Sequence, residues 1–172
     1  MESLETLYEP YKQDCDKGRV HTYIPEYEEL FAPYRETATR VLEIGIRWGA
    51  SVCLWKDYFI NAEIVGMDID LDRMYPQYRK EGLTLIEGDC YTMTVDGLFD
   101  IVIDDGPHDL ENQLNTLRQY YPKLNDNGMI IIEDIQNPNY IKIFDQLPFN
   151  IEVRDLRKNR NIRDDILIIA RK

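Results

Sequence analysis

The sequence predicts one α/β domain built on a mainly parallel, seven-stranded sheet whose last two strands form an antiparallel pair at the C-terminal edge. Three observations carry this. Apolar runs of strand length alternate with helix-length segments, the pattern of a parallel sheet covered by helices on both faces. The first strand runs directly into a glycine turn and a helix, Val41-Leu-Glu-Ile-Gly-Ile-Arg-Trp-Gly-Ala-Ser51. The last two strands follow one another across the charged turn Arg157 to Asp165, with no helix between them.

Taken in order, Tyr8 to Phe31 is rich in tyrosine and acids, and Ile24, Tyr27, Leu30 and Phe31 suggest a helix that enters the fold. Residues 1–35 therefore read as an entry segment. Strands are expected at 40–44, 63–67, 83–86, 100–104, 129–133, 150–156 and 165–171, and helices at 50–59, 71–79, 110–122 and 138–146. The helix at 50–59 has Val52, Leu54, Trp55 and Tyr58 as its apolar face, and Asp70 is placed to cap the segment from Leu71. With 172 residues, no repeat and no Pro/Gly linker, the whole of 1–172 is one domain with a core that needs no staples.

Composition narrows the function classes. Apolar residues make up 44% and charged residues 30%, ordinary for a globular protein. The longest apolar runs, Met129 to Ile132 and Ile166 to Ala170, are too short to span a membrane, and Met1-Glu-Ser-Leu-Glu has neither the basic start nor the apolar stretch of a signal peptide. Cys15, Cys53 and Cys90 are odd in number and unclustered, which suits reduced thiols and a cytoplasmic location. A formal charge of −12 repels a phosphate backbone, so nucleic acid is a poor partner.

The glycine turn carries the first chemistry. Strand, glycine turn and helix start give a ligand close access to the backbone and to free N–H donors. About twenty residues on, Ile64-Val-Gly-Met-Asp68 is a second strand ending in a carboxylate suited to two ribose hydroxyls. Arg47 between the two glycines departs from the dinucleotide fingerprint, so a nucleoside ligand without pyrophosphate, S-adenosylmethionine above all, fits better. Glu43, Gly45, Gly49 and Ser51 of the turn, with Asp68, Asp89 and Asp104 at later strand ends, form the candidate cofactor set. Each has a plainer alternative. Asp68 would serve as a helix cap, Asp89 as a cap for the turn before Tyr91, and Asp104 as support for its neighbours.

Strand four ends in Asp104-Asp105-Gly-Pro-His108 and strand five in Glu133-Asp134. Together with Asp68, Glu87 and Asp89, these residues gather seven acids and a histidine on one rim. Crowded carboxylates repel unless a cation or donor groups neutralise them, and a divalent ion with oxygen ligands, Mg²⁺ or Mn²⁺, is the economical solution. Strands four and five are neighbours in such sheets, so Asp105, Glu133 and Asp134 can meet at one ion. His108, three residues past Asp105, is placed to take the proton of a hydroxyl acidified by that ion. The alternatives are a hydrogen-bonded acidic rim without metal and a helix-capping histidine.

Residues 14–136 resemble the metal-dependent sugar O-methyltransferases of macrolide biosynthesis and the related cephalosporin-hydroxylase-like group. The matching pieces are Asp16-Lys17, His21-x-Tyr23, Tyr27-Glu-Glu-Leu-Phe31, Leu42-Glu-Ile-Gly45, Trp48-Gly-Ala-Ser51, Ile64 to Asp70, Phe99 to His108 and Gly128 to Asp134. The resemblance implies a Rossmann-like class I methyltransferase fold and methyl transfer from S-adenosylmethionine to a sugar hydroxyl. It also implies Asp105, Glu133 and Asp134 as metal ligands, His108 as base, and Gly45, Asp68 and Asp89 at the cofactor. The macrolide enzymes carry an extra amino-terminal region, so an acceptor pocket that is more open, or completed by another subunit of a homo-oligomer, is expected. Two other readings compete: a non-catalytic S-adenosylmethionine-binding protein of the same fold, and an oxidoreductase of the hydroxylase-like kind.

Overall fold

A computed structural model describes residues 1–172. Its strands are β1 (Arg40–Ile44), β2 (Glu63–Asp68), β3 (Leu83–Glu87), β4 (Phe99–Asp104), β5 (Leu124–Ile132), β6 (Asn150–Asp155) and β7 (Ile166–Arg171). Its helices are α1 (Leu4–Tyr8), α2 (Asp16–Arg19), α3 (Tyr23–Phe31), α4 (Ala50–Tyr58), α5 (Leu110–Tyr120), α6 (Ile141–Phe144) and α7 (Arg157–Arg160). The strands form one sheet in the order β3-β2-β1-β4-β5-β7-β6. All pairs from β3 to β5 are parallel, while β7 pairs antiparallel with both β5 and β6. The α/β class and the antiparallel C-terminal pair are thus as expected. Strand order reverses between β1 and β4, and ligands of open α/β sheets bind at such a reversal, outside the carboxyl ends of the strands.

Both faces of the sheet are buried. Val41, Ile101, Ile103, Met129 and Ile131 join a core completed by α1, α3 and α4, and Leu42, Ile44, Val102, Ile130 and Ile132 join a second core closed by α5 and α6. The first core holds an aromatic stack in which Trp55 meets Tyr27 at 5.3 Å and Phe31 at 5.4 Å between ring centroids. Trp55 is fully buried. Edge-to-face pairs of this kind add roughly 0.5–1.5 kcal/mol each beyond area burial. They fasten the entry segment to the sheet.

Two expected helices are corrected. Residues 71–79 form two separate 3₁₀ turns, Leu71–Arg73 and Pro76–Tyr78, with extended backbone at Met74 and Tyr75 between them. Pro76 explains the break, because its ring disfavours helical geometry at the preceding residue. Likewise the helix expected over 138–146 is a 3₁₀ turn, Pro138–Tyr140, followed by the single-turn α6. The turn expected at Arg157 to Asp165 contains the short α7. Asp70 caps the first 3₁₀ turn, accepting from the Asp72 N–H at 3.0 Å. No helix is long and apolar enough to cross a membrane.

Candidate active site

A cavity of about 480 Å³ opens at the carboxyl ends of β1, β2 and β4, at the strand-order reversal. That volume suits a nucleoside-sized ligand. Its floor is the glycine turn. Gly45 has φ of +82°, and a Cβ built there would lie 2.1 Å from the Asp105 carbonyl oxygen. The Asp105 N–H in turn donates to the Ile44 carbonyl at 2.8 Å. The end of β1 and the acid after β4 therefore touch backbone to backbone, which only glycine permits. We expect Gly45→Ala to destabilise the fold by more than about 2 kcal/mol, combining left-handed strain with overpacking against rigid backbone. Chemical denaturation measures this, and an unchanged midpoint would remove the close-approach argument.

Asp68, at the end of β2, lines the cavity. Its Oδ2 accepts the N–H groups of Ile46 at 2.9 Å and Arg47 at 2.7 Å, which shapes the glycine turn. Its Oδ1 also accepts the Asp70 N–H at 3.1 Å, so of the roughly four acceptor positions of a carboxylate about one is left for a ligand hydroxyl. Asp89 also lines the cavity while its Oδ1 accepts the Tyr91 N–H at 2.9 Å, so the turn-capping role holds alongside any ligand role. Gly45 and Ser51 complete the cofactor candidates found at the cavity wall.

Three cofactor candidates do not line it. Glu43 shares a sheet face with Val41 because strand side chains alternate, and that face is packed by the entry segment and α4. It is fully buried, accepts from Ser51 Oγ at 2.7 Å and stands 3.3 Å from Lys17 Nζ, an internal pairing outside the cavity lining. Gly49 packs under Met74 and Tyr78 with φ of +89°, a turn position. Asp104 lies behind the site, accepting from the Gly106 N–H at 3.1 Å.

The cavity is also lined by Asp105, His108 and Asp134. His108 Nε2 is 3.9 Å from Asp105 Oδ1 and 3.8 Å from Asp134 Oδ2. These three form one group with metal-binding spacing; Glu43, Asp105 and Glu133 form a second, deeper one. Glu133 is almost wholly buried and belongs to the inner group, so the three expected metal acids are split, with Asp105 common to both. His108 is not a helix cap. Asp109 caps α5, accepting from the Asn112 N–H at 3.0 Å.

Backbone strain concentrates here. Five non-glycine residues have positive φ, and three of them, Arg47, His108 and Asp134, line the cavity. The other two are asparagines, which tolerate that conformation. Left-handed backbone costs roughly 1–3 kcal/mol per residue and clusters at functional sites.

The sequence reading gave no role to Lys17. This lysine is fully buried, with Nζ 2.6 Å from Asp105 Oδ2 and 2.5 Å from Glu133 Oε1. Burial alone pushes an ammonium toward losing its proton, but Asp105, Glu133 and Glu43 outweigh it and hold Lys17 well above its ordinary range. Part of the neutralisation expected of a metal is thus supplied from within the chain. Tyr27 donates to the same Glu133 oxygen, and Tyr23 donates to Asp134 Oδ1 at 2.7 Å. His21 is buried, stacked on Tyr23, with Nε2 3.5 Å from Asp134 and Nδ1 3.5 Å from Asp165. Burial, then Asp105, pushes the Asp134 carboxyl up to about 6, and the same causes push Glu133 well above the usual range.

The oxygens left over are informative. Asp105 Oδ1, Glu133 Oε2 and Asp134 Oδ2 receive no hydrogen bond from the protein, while the other oxygen of each acid is held by Lys17, Tyr27 or Tyr23. One free carboxylate oxygen per acid, with no thiolate among them, is a donor set that fits a hard divalent cation.

No family model matches the chain. Over 136 residues it is 33% identical to the 8-demethyl-8-alpha-L-rhamnosyl tetracenomycin-C 2'-O-methyltransferase of Streptomyces olivaceus, a match covering 73% of this chain and 36% of that protein. Over 132 residues it is 35% identical to the demethylmacrocin O-methyltransferase of Streptomyces fradiae, covering 69% and 33%. The chain belongs to the class I methyltransferases, in the macrolide-sugar O-methyltransferase group. It spans about a third of the length of these curated relatives. The fold agrees with MycE methyltransferase of the mycinamycin biosynthetic pathway, solved in complex with Mg and SAH, with a TM-score of 0.75, 22% identity, and coverage of 99% of this chain and 54% of that one. An SAH-bound Podospora anserina methyltransferase aligns at a TM-score of 0.64 and 16% identity, covering 99% and 88%. In this methyltransferase domain the glycine turn and the Asp-Asp-Gly-Pro-His block meet at the wall of one cavity.

Proposed function

We propose that this chain transfers a methyl group from S-adenosylmethionine to a hydroxyl of a sugar on a small glycoside or glycan precursor, with Mg²⁺ or Mn²⁺ as the metal. One observation carries the reading: a single cavity is lined both by a nucleoside-type set, Gly45, Asp68 and Asp89, and by an acid–imidazole set, Asp105, His108 and Asp134. The group's relatives named as sugar O-methyltransferases support the acceptor class. The oxidoreductase alternative finds no comparable support in the site.

Each part of the site has a share of the chemistry. Asp68 would accept from a ribose hydroxyl and Asp89 would border the adenine, fixing the methyl donor along the cavity. Asp105, Glu133 and Asp134 would hold the divalent ion through their free oxygens; when bound, that ion supplies positive charge that acidifies an acceptor hydroxyl. His108 removes the hydroxyl proton at Nε2. The oxygen then bonds to the methyl carbon as the carbon–sulfur bond breaks, releasing the neutral thioether. Holding donor and acceptor in one enclosed site supplies much of the entropy of the bimolecular step. A pure binding protein has no use for a strained histidine between two acids.

The test is calorimetric titration of S-adenosylmethionine with Mg²⁺ present, on wild type and Asp68→Ala, beside methyl transfer to a panel of simple glycosides. Losing a charged acceptor for a ligand hydroxyl costs roughly 1.5–3 kcal/mol, so affinity should fall about tenfold to a hundredfold. Equal affinity in a folded Asp68→Ala would overturn the cofactor placement.

A further inference from the structure

The rim acids have a counter-charge of their own, and its position divides them. Lys17 Nζ sits among Glu43, Asp105 and Glu133, at 3.3, 2.6 and 2.5 Å. Those three acids also constitute the inner group with metal-binding spacing. Glu43 Oε1 is buried with no hydrogen-bond partner, so the ammonium is its nearest compensation. Of the two Asp105 oxygens Lys17 Nζ bonds only Oδ2, which leaves Asp105 Oδ1 toward His108, in the outer group with Asp134.

We propose that Lys17 is a positioning residue whose fixed positive charge fills the space between Glu43, Asp105 Oδ2 and Glu133 Oε1, and so confines a divalent ion to the oxygens left free, Asp105 Oδ1, Glu133 Oε2 and Asp134 Oδ2, beside His108. The proposal rests on the metal-dependent reading above. A single cluster of four buried or half-buried acids would otherwise offer an ion two overlapping seats sharing Asp105, and only the outer one adjoins the imidazole and the cavity. An ammonium cannot leave as a solvated ion can. It also repels a second cation at close range, an effect strong in a medium of low effective dielectric. Lys17 is fully buried and bonded to two carboxylates, with Tyr27 on the same Glu133 oxygen, so its charge does not wander.

Lys17→Met keeps the stem volume and removes the charge. Mn²⁺ binding by electron paramagnetic resonance, without any donor or acceptor, reads the result independently of activity. In Lys17→Met we expect Mn²⁺ to bind at least tenfold more tightly than in wild type, with a changed resonance signature, while turnover falls at least tenfold and S-adenosylmethionine affinity stays the same. General damage to the fold would weaken the ion instead of tightening it, so equal or weaker Mn²⁺ binding overturns the proposal. If Lys17→Met does not fold, Lys17→Met with Glu43→Gln removes one buried charge of each sign and retains the outer acids; the same tightening supports the proposal and its absence overturns it. A wild type that binds no Mn²⁺ overturns the metal reading itself, and this inference with it; a wild type that binds Mn²⁺ with a variant that matches it overturns this inference alone.

Discussion

Replacing His108 should lower methyl-transfer turnover by about 10²–10⁴-fold, the usual contribution of a placed general base, with little change in S-adenosylmethionine affinity. The imidazole stands beside Asp105 and Asp134, apart from the cofactor candidates Asp68 and Asp89 in its pairing, so the acceptor side alone should suffer. The choice of variant matters because His108 has φ of +59°. Alanine dislikes that backbone, whereas asparagine adopts it readily and cannot serve as the base. His108→Asn and His108→Ala should therefore share the rate defect while His108→Asn keeps the wild-type melting temperature. Single-turnover transfer to a sugar acceptor, beside calorimetry, decides it. Wild-type turnover in His108→Asn would leave the imidazole without a chemical role and rest catalysis on positioning and the metal alone.

The second large effect is loss of turnover on exhaustive chelation, restored by Mg²⁺ or Mn²⁺. Full activity after chelation would sink the metal reading. A pH dependence follows with a definite sign. Burial, then Asp105, pushes Asp134 from an ordinary 3.8 to about 6. The folded protein thus holds a proton there that the unfolded chain releases, and Asp134 contributes stability at low pH that is lost as pH rises through about 6. Above that point the carboxylate is charged and poorly compensated, and an added cation stabilises by mass action, about 2.7 kcal/mol at a hundred times its dissociation constant. Added Mg²⁺ should raise the melting temperature more at a pH of about 7.5 than at about 5.5. Equal shifts at both would mean that protons and cations do not compete for this acid.

The legible parts of this molecule were those written in local pattern. The strand, Gly45 turn and α4 helix follow from neighbouring residues, as does the Asp105-Gly-Pro-His108 corner, and the sheet order follows from their alternation with helices. Glu43 was not settled by pattern: its face is shared with Val41, and its burial against Lys17 and Ser51 emerges only in the fold. Pro76 carried a warning against one long helix over 71–79. Lys17 was not legible. Its partners lie 88 and 116 residues away, and a lysine beside Asp16 near the start of a helix reads as solvent-exposed until the fold brings Asp105 and Glu133 to it. The same holds for the Tyr23 and Tyr27 hydroxyls, whose aromatic rings announce core packing and conceal the hydrogen bonds made at their tips.

The entry segment has a bearing on how the chain comes together. Lys17, Thr22, Tyr23 and Tyr27 bond to residues 106 to 143 positions later, at Glu133, Asp134 and Asp165. Contacts of such separation form slowly, since loop closure must be met before they give any return. During synthesis the entry segment emerges well before the acids that justify burying its lysine. The ammonium must therefore stay in water until β5 has joined β4, and the order of assembly runs from sheet to site. The acid corner is completed only when the entry segment meets strand ends more than a hundred residues further along the chain.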